Sequence, residues 1–434
     1  MMTQDASADP ALERRAAALL DQMAVVILNH NGRAHLGPCL EALLAADGLA
    51  GPEAIVVADN GSRDGSLDWL ADRHPRLRRI AFRSNLGFAA GNNAAAERVD
   101  APWLLFLNND TRVRPDAPRQ LALAAAGGAD AVGARLLSWD GSRLDFDGGA
   151  ASFTGHGHAL GYGRPVPAGP PPPPQPSLFC SGAALLVRRE TFLALGGFAP
   201  DYFAYYEDLD LGWRMQLAGL TLRQVPAARV EHRHHGSAGQ LPSGRAARLY
   251  ERNALATVLR NYDTPNLARV LPAALALAAC RAGAADRAAA QGLIDAAASA
   301  IEAGPGGLPL PRADWRGWPM LADLALDFAA LARGREAVQA LRARSDAEIL
   351  PLLGRPYAAV PASRVAEAAL RRAVARFELE PIFGPLPDAD RPAQGPREAG
   401  RLVRRAAGAL RQGGARWLVE EARGYLRWRR GSHG

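Results

Sequence analysis

The chain has 434 residues, enough at about 100–200 residues per domain for two or three domains and a sizeable buried core. Apolar residues make up 48% and charged residues 22%, which excludes a wholly disordered or fibrous chain. The formal net charge is +7, but all 51 basic residues are arginine and alanine is abundant, a bias that removes the charge as a sign of nucleic-acid binding; no nucleic-acid partner is expected.

In residues 1–22 an apolar stretch behind Arg14 and Arg15 is interrupted by Asp21, so neither a leader nor a spanning segment is read there. A flexible N-terminal segment over 1–22 is expected. From Met23 to about Val132 short apolar runs alternate with helical stretches, the pattern of βαβ units and a mostly parallel sheet. Strands are predicted over 24–28, 54–58, 77–82 and 103–107, with helices at about 36–45, 65–72 and 88–98. Ligands bind such sheets beyond the carboxyl ends of the strands. Those ends read Asn29-His30-Asn31-Gly32, Asp59-Asn60-Gly61-Ser62, Arg83-Ser84-Asn85-Leu86-Gly87 and Asn108-Asn109-Asp110. One polar strand end is only a turn; four on one edge point to a ligand site.

Residues 135–176 are irregular and glycine-rich, a predicted loop or hairpin followed by an exposed polyproline insertion at about 164–176. A buried strand is predicted over 177–188, and then a polar cluster: Tyr202, Tyr205, Tyr206, Glu207, Asp208, Asp210, Trp213 and Arg214. Residues 241–434 read as a helical region. Its most apolar stretch, 271–280, falls short of the ~20 residues a spanning helix needs, so a cytoplasmic chain is expected. The arginine-rich segment 401–430 reads either as a basic amphipathic helix pair making peripheral contact with an anionic membrane or as an ordinary solvated helix. Cys39, Cys180 and Cys280 lie far apart with no C-x-x-C pair, which argues against a disulfide framework or a thiolate zinc site.

The succession VVILNHNG, VVADNGSRDGS, NLGFAAGNNAA, LLFLNNDT, FCSGAALLVRR, GGFAPDYFAYYEDLDLGWRMQLAG and VEHRHHGS, trailed by ERNALATVLRNY, closely resembles the family 2 inverting glycosyltransferases, over about residues 23–262. The nearest branch is the rhamnosyltransferase-like and galactofuranosyltransferase-like one that builds bacterial cell-surface polysaccharides. Seven blocks in the family's order make the signal strong where any one would be weak. The resemblance implies a GT-A (Rossmann-like) nucleotide-sugar-binding domain over 23–240 and a nucleotide-diphosphate sugar donor. By its pattern Asp59 accepts hydrogen bonds from the base or ribose. Asn29, Asn31, Asn60, Asp64, Asn85, Gly87, Gly91 and Asn109 complete the donor site, although helix capping explains Asp64 as well.

Asp110 matches the last position of the family's D-x-D element, which holds Mn²⁺ or Mg²⁺ against the diphosphate; Asn108 stands where a first aspartate is often found. His232 resembles the histidine that completes that metal shell, with His234 and His235 as close competitors. Asp208, second residue of the family's E-D pair, matches the base that takes the proton from the acceptor hydroxyl. Glu207 orients it, and Tyr206, Asp210 and Trp213 shape a site for a saccharide or polyprenyl-linked acceptor. The Asp210–Arg214 spacing also reads as a structural i,i+4 pair, and Arg252 as a contact to the diphosphate or a structural arginine. The expected activity is inverting transfer of a dTDP-rhamnose-like or UDP-linked sugar. The alternatives are a catalytically silent sugar-nucleotide-binding scaffold and a nucleotidyltransferase, the latter disfavoured because Asn29-His30-Asn31-Gly32 is not a basic phosphate loop. Base, sugar, acceptor, linkage and oligomeric state are not legible in the sequence.

Overall fold

The computed structural model describes residues 9–233, 243–282, 327–359 and 364–387. Asp9 accepts a hydrogen bond from Ala11 N at 2.9 Å and Pro10 takes the first turn, which together start helix α1 (Pro10–Asp21). This corrects the expected flexible segment over residues 10–21. Ala16, Leu19 and Leu20 are buried, and Glu13 pairs with Arg119 of a later helix at 2.6 Å.

Strands β1 (Met23–Asn29), β2 (Ile55–Asp59), β3 (Arg78–Ala81) and β4 (Trp103–Asn108) pair in parallel in the order β4-β1-β2-β3. Successive residues of β1 enter different cores: Val25 and Ile27 pack with Val57 and Leu105 on one face, Val26 with Val56 and Phe106 on the other. A strand buried on both faces must be apolar throughout, which is why these runs do not alternate. Each side chain so buried contributes about 1.5–3 kcal/mol. Helices α2 (Arg33–Leu44), α3 (Ser66–Arg73) and α4 (Phe88–Arg98) make the crossovers.

β5 (Thr111–Val113), α5 (Ala117–Ala126), β6 (Ala131–Ser138) and β7 (Leu144–Phe146) follow, then a hairpin of β8 (Gly149–Ala151) and β9 (Gly157–Ala159), as the glycine-rich stretch predicts. The polyproline run is largely exposed and ends in the short β10 (Gln175–Pro176). β11 (Ala184–Arg188) lies antiparallel between β4 and β6; beyond helices α6 (Arg189–Ala194) and α7 (Glu207–Leu217), β12 (Leu222–His232) runs parallel to β6. β1–β4, β6 and β12 therefore all point one way, and the sheet is mostly parallel. The strand expected over 177–188 forms only in its last five residues. Upstream the buried chain bends, with Ser177 Oγ donating to Phe179 O and Ala184 N to Ser181 O.

The helical region contributes α8 (Ser243–Asn261), α9 (Thr264–Ala282), α10 (Phe328–Ala340), α11 (Asp346–Ile349) and α12 (Arg364–Arg376). The apolar stretch 271–280 lies in α9, where Ala273, Ala274 and Leu277 are buried and the helix packs on α8 and α12. Among the described residues no helix is long and apolar enough to cross a membrane. The arginine-rich segment 401–430 and the competing His234 and His235 lie outside the described residues.

Candidate active site

The four predicted strand ends do come together. Asn29 stands opposite Asp59 and Leu28 opposite Asn108, so the polar residues that follow share one edge. Above it opens a cavity of about 700 Å³, and beside that a hollow of about 320 Å³ lined by His30, Asn31, Arg63, Arg83, Ser84 and Asn85. Asn31, Asn60, Asn85, Gly87 and Asn109 line the main cavity. Asn60 Nδ2 donates to Asn85 Oδ1 at 3.0 Å and to Gly87 O at 3.1 Å, which knits the second and third strand ends into one rim. Gly87 has φ +84°, and a Cβ there would meet the Phe203 ring at 2.6 Å, so only glycine lets the two loops approach.

Other expected donor residues lie beneath this surface. Asn29 and Asp59 are buried in the floor, outside the cavity lining. Asn29 Nδ2 donates to Asp59 Oδ2 and to Ser62 Oγ, both at 3.2 Å, and Asn109 Nδ2 donates to Asn29 Oδ1 at 2.8 Å. Asp59 Oδ1 accepts from Ser62 N at 2.9 Å. Asp59 thus lies beneath the rim, where it holds the loop that shapes it. Asp64 also stays out of the lining. It accepts from Arg33 N at 2.8 Å and from Ser66 N at 3.1 Å just ahead of α3, whose N-cap is Gly65. Gly91 meets Leu28 and Asn60 rather than open space, so it serves helix–sheet packing.

Packed against the Gly87 rim, the loop before α7 holds Phe203, Tyr205 and Tyr206 at φ values of 62°, 72° and 65°, and brings Glu207 and Asp208 into the cavity lining. Asp208 Oδ2 accepts from Gly182 N at 3.1 Å and Oδ1 from Leu209 N at 2.8 Å. Enclosure by protein raises its carboxyl above the usual aspartate range, against the pull of those two amides. Glu207 is raised well above the usual glutamate range, first by burial and then by the charge of Asp208. Among the described residues its Oε2 has no hydrogen-bond partner. Tyr206 joins the lining, where its ring stands edge-on to Tyr250 at 5.3 Å.

Asp210 and Trp213 lie outside the cavity lining. Asp210 is fully buried; Arg214 Nε donates to it at 2.8 Å and Asn261 Nδ2 at 3.0 Å. Trp213 is a core side chain against Tyr262, with ring centroids 5.1 Å apart. Arg252 is structural: its guanidinium donates to Asp201 O at 2.8 Å and Asp327 Oδ2 at 2.7 Å.

Asp110 and His232 meet at the cavity base, with His232 Nε2 3.5 Å from Asp110 Oδ1. Behind them Asp145 Oδ2 lies 2.8 Å from His232 Nδ1. Burial alone would push the imidazole down, but hydrogen bonds with Asp110 and Asp145 outweigh it and raise its pKa to about 9. A carboxylate, and an imidazole whose other nitrogen is held by a second carboxylate, make a donor set that fits a divalent cation. Among the described residues no cluster of three or more His, Cys, Asp or Glu forms a complete cage, so phosphate oxygens and water would have to fill the remaining positions.

Sequence reasoning missed Asp145, Tyr250, Arg245 and Asn253. Tyr250 and Arg245 line the cavity from α8; the Tyr250 ring stacks on Tyr205 at 4.2 Å and the Arg245 guanidinium sits 4.5 Å over Phe203. Only the ERN block hinted that α8 returns to the site. One cavity is thus lined by a carboxylate pair, aromatic faces, an Asp–His pair and an amide-rich rim.

A sequence profile for glycosyl transferase family 2 matches residues 24–192. An N-acetylglucosaminyl-diphospho-decaprenol L-rhamnosyltransferase of Mycobacterium tuberculosis is 32% identical over 236 residues, 49% of this chain and 77% of that protein. The O-antigen biosynthesis protein RfbC of Myxococcus xanthus is 30% identical over 209 residues, 46% of this chain and 16% of that protein. Among solved structures, GalNAc-T7 with UDP, GalNAc and Mn²⁺ superposes with a TM-score of 0.46 at 16% identity, covering 55% of this chain and 48% of the other.

Proposed function

This chain belongs to glycosyl transferase family 2 and is a glycosyltransferase, and from that premise we propose that it transfers a sugar, with inversion, from a nucleotide-diphosphate donor such as dTDP-rhamnose to a saccharide acceptor carried on a polyprenyl diphosphate. The observation that carries the reading is that two pairs line one cavity: Glu207–Asp208 at the start of α7 and Asp110–His232 at the strand edge. The acceptor named for the mycobacterial relative, a saccharide on a diphospho-polyprenol, supports the acceptor class.

In this reading the nucleoside lies along Asn31, Asn60 and Asn85 with its diphosphate directed to Asp110 and His232. A divalent cation, Mn²⁺ or Mg²⁺, held there would offset the charge that grows on the departing diphosphate. Asp208, kept ionised by the Gly182 and Leu209 amides, accepts the proton of the acceptor hydroxyl as that oxygen attacks the anomeric carbon and the bond to the diphosphate breaks. Glu207, whose carboxyl is raised well above the usual glutamate range by burial and by the charge of Asp208, orients the base rather than taking the proton. Tyr205, Tyr206 and Tyr250 offer faces on which a sugar ring stacks.

The test is a screen of dTDP-rhamnose and UDP-hexoses for protection against thermal unfolding, with and without Mn²⁺, because a ligand at 100 times its Kd stabilises the native state by about 2.7 kcal/mol. Selective, Mn²⁺-enhanced stabilisation is expected. A full chain indifferent to every nucleotide sugar would remove the donor site from this cavity.

A further inference from the structure

The loop that presents the acid pair has a costly backbone. Phe203, Tyr205 and Tyr206 all lie in the left-handed region, which bulky L side chains rarely adopt and which persists only where the surroundings over-determine it. The surroundings here converge on one side chain. Asn253 of α8 is fully buried and outside the cavity lining, and its Nδ2 donates to Tyr202 O at 3.0 Å, Ala204 O at 2.9 Å and Tyr205 O at 2.8 Å. Its Oδ1 accepts from Arg252 Nη1 at 3.0 Å, and Arg252 in turn is anchored on Asp201 and Asp327. The carboxamide is thus aimed from behind, and three carbonyls of the strained loop are gathered onto its nitrogen.

We propose that Asn253 is a positioning residue of the reaction: by holding the carbonyls of 202, 204 and 205 it fixes the left-handed turn that keeps Glu207 and Asp208 enclosed at the cavity wall. The inference rests on the reading of Asp208 as the base, but the arrangement it describes exists without substrate. A carboxylate at this residue could not donate to the carbonyls, and a glutamine would carry its amide one methylene too far, so neither replaces asparagine.

The groups that face Asp208 are Glu207 on its own helix, Tyr206 in the loop, Tyr250 from α8 and Cys180 from the segment before β11. Burial is the largest influence raising the acid pair. Releasing the loop admits water, and the pair must then titrate lower.

The experiment is a pH titration of the substrate-free full chain by difference infrared spectroscopy, following the carboxyl band that Asp208→Asn removes. In Asn253→Ala the midpoint of that band is expected to fall by about one pH unit, a tenfold change in the proton equilibrium. Asn253→Ser, which keeps one donor, should fall between. Asn261→Ala is the control, since it removes a buried carboxamide from the same helix that holds Asp210 rather than the loop. Both helix variants should lower the melting temperature, but only those at Asn253 should move the midpoint. An unmoved or raised midpoint in Asn253→Ala and Asn253→Ser, or an equal fall in Asn261→Ala, overturns the proposal. Because no donor or acceptor is present, failure of the glycosyl-transfer reading would appear in the nucleotide-sugar screen and leave this titration unaffected.

Discussion

Exchanging Asp208 for Asn separates chemistry from architecture more cleanly than any other change in the site. The carboxylate accepts from Gly182 N at 3.1 Å and Leu209 N at 2.8 Å. Asparagine offers one carbonyl oxygen and an amide that cannot accept, so one of these N–H groups loses its partner, at a cost of about 1–3 kcal/mol. Against that, removing a negative charge beside Glu207 relieves a repulsion in an enclosed site. The stability change should be small, whereas loss of the base should lower kcat by ~10²–10⁴, equivalent to about 2.7–5.5 kcal/mol of barrier. The assay is release of dTDP from dTDP-rhamnose at saturating donor with Mn²⁺, beside a donor titration that should be unchanged. Glu207→Gln keeps the size of a side chain whose proposed role is to orient Asp208 and should stay within about tenfold of the parent. The acid limb of the rate profile should lie above the ordinary aspartate range, because the base must be deprotonated and burial holds its pKa up. Full turnover by Asp208→Asn with unaltered donor binding would refute the assignment and move the base elsewhere on the wall.

Gly87→Ala should abolish donor protection against unfolding, because a Cβ at φ +84° meets the Phe203 ring at 2.6 Å and forces apart the loops that form the rim; the nucleotide-sugar thermal screen reads this. Asp59→Ala should lower the melting temperature, by about 1–3 kcal/mol of stability, since it leaves Asn29 Nδ2 short of an acceptor and Ser62 N without its partner; calorimetry checks it. Burial would raise Glu251, but His156 and Arg281 outweigh it and hold its carboxyl down at about 2, so it adds stability above the unfolded pKa of about 4.3 that is lost as pH falls toward 2. Glu251→Gln should therefore flatten the acid limb of the stability curve while lowering stability at pH 7 by at most about 3 kcal/mol, measured by urea unfolding across pH. Asp145→Asn should weaken Mn²⁺ enhancement of donor binding by ~10–100-fold, since it removes the carboxylate that orients His232.

The sheet was legible because its central strands β1, β2 and β4 are buried on both faces and so carry unbroken apolar runs, and the shared edge because these three strands and the more exposed β3 are followed by polar residues at corresponding positions. The distinction between lining and floor was not legible. Asn29 and Asp59 look like ligand contacts in sequence, but their bonds to each other, to Ser62 and to Asn109 use them within the protein. Asp210 fails for a helical reason: two residues along a helix is about 200° around it, so a side chain following Asp208 at that spacing faces the core. There it meets Arg214 from its own helix and Asn261 from α8. Asp145 behind His232 and Asn253 behind the acid loop were out of reach because their partners lie 87 and about 50 residues away. Only the fold brings such pairs together. The N-terminal helix was misread because its buried positions, Ala16, Leu19 and Leu20, are too few to stand out from an alanine-rich background.

The order of the two acids does not by itself favour one as the proposed base; their hydrogen bonds do. Two adjacent carboxylates in an enclosed site cannot both ionise without strong repulsion, so at neutral pH the pair carries mainly one charge. That charge resides where it is best solvated by the protein. Asp208 has two backbone N–H donors, one from the loop before β11 and one from the first turn of α7, while Glu207 has an oxygen with no partner among the described residues. The helix N-terminus favours a negative charge by about 0.3–1 kcal/mol for either residue and so does not discriminate. Two charge-assisted hydrogen bonds of about 1.5–3 kcal/mol each do discriminate, by far more than the intrinsic difference of about 0.4 pKa unit between the two acids. On the proposed reading these bonds place the charge on Asp208 rather than Glu207, and the loop before β11 that positions Gly182 is what makes the second acid, rather than the first, the candidate base for an acceptor hydroxyl.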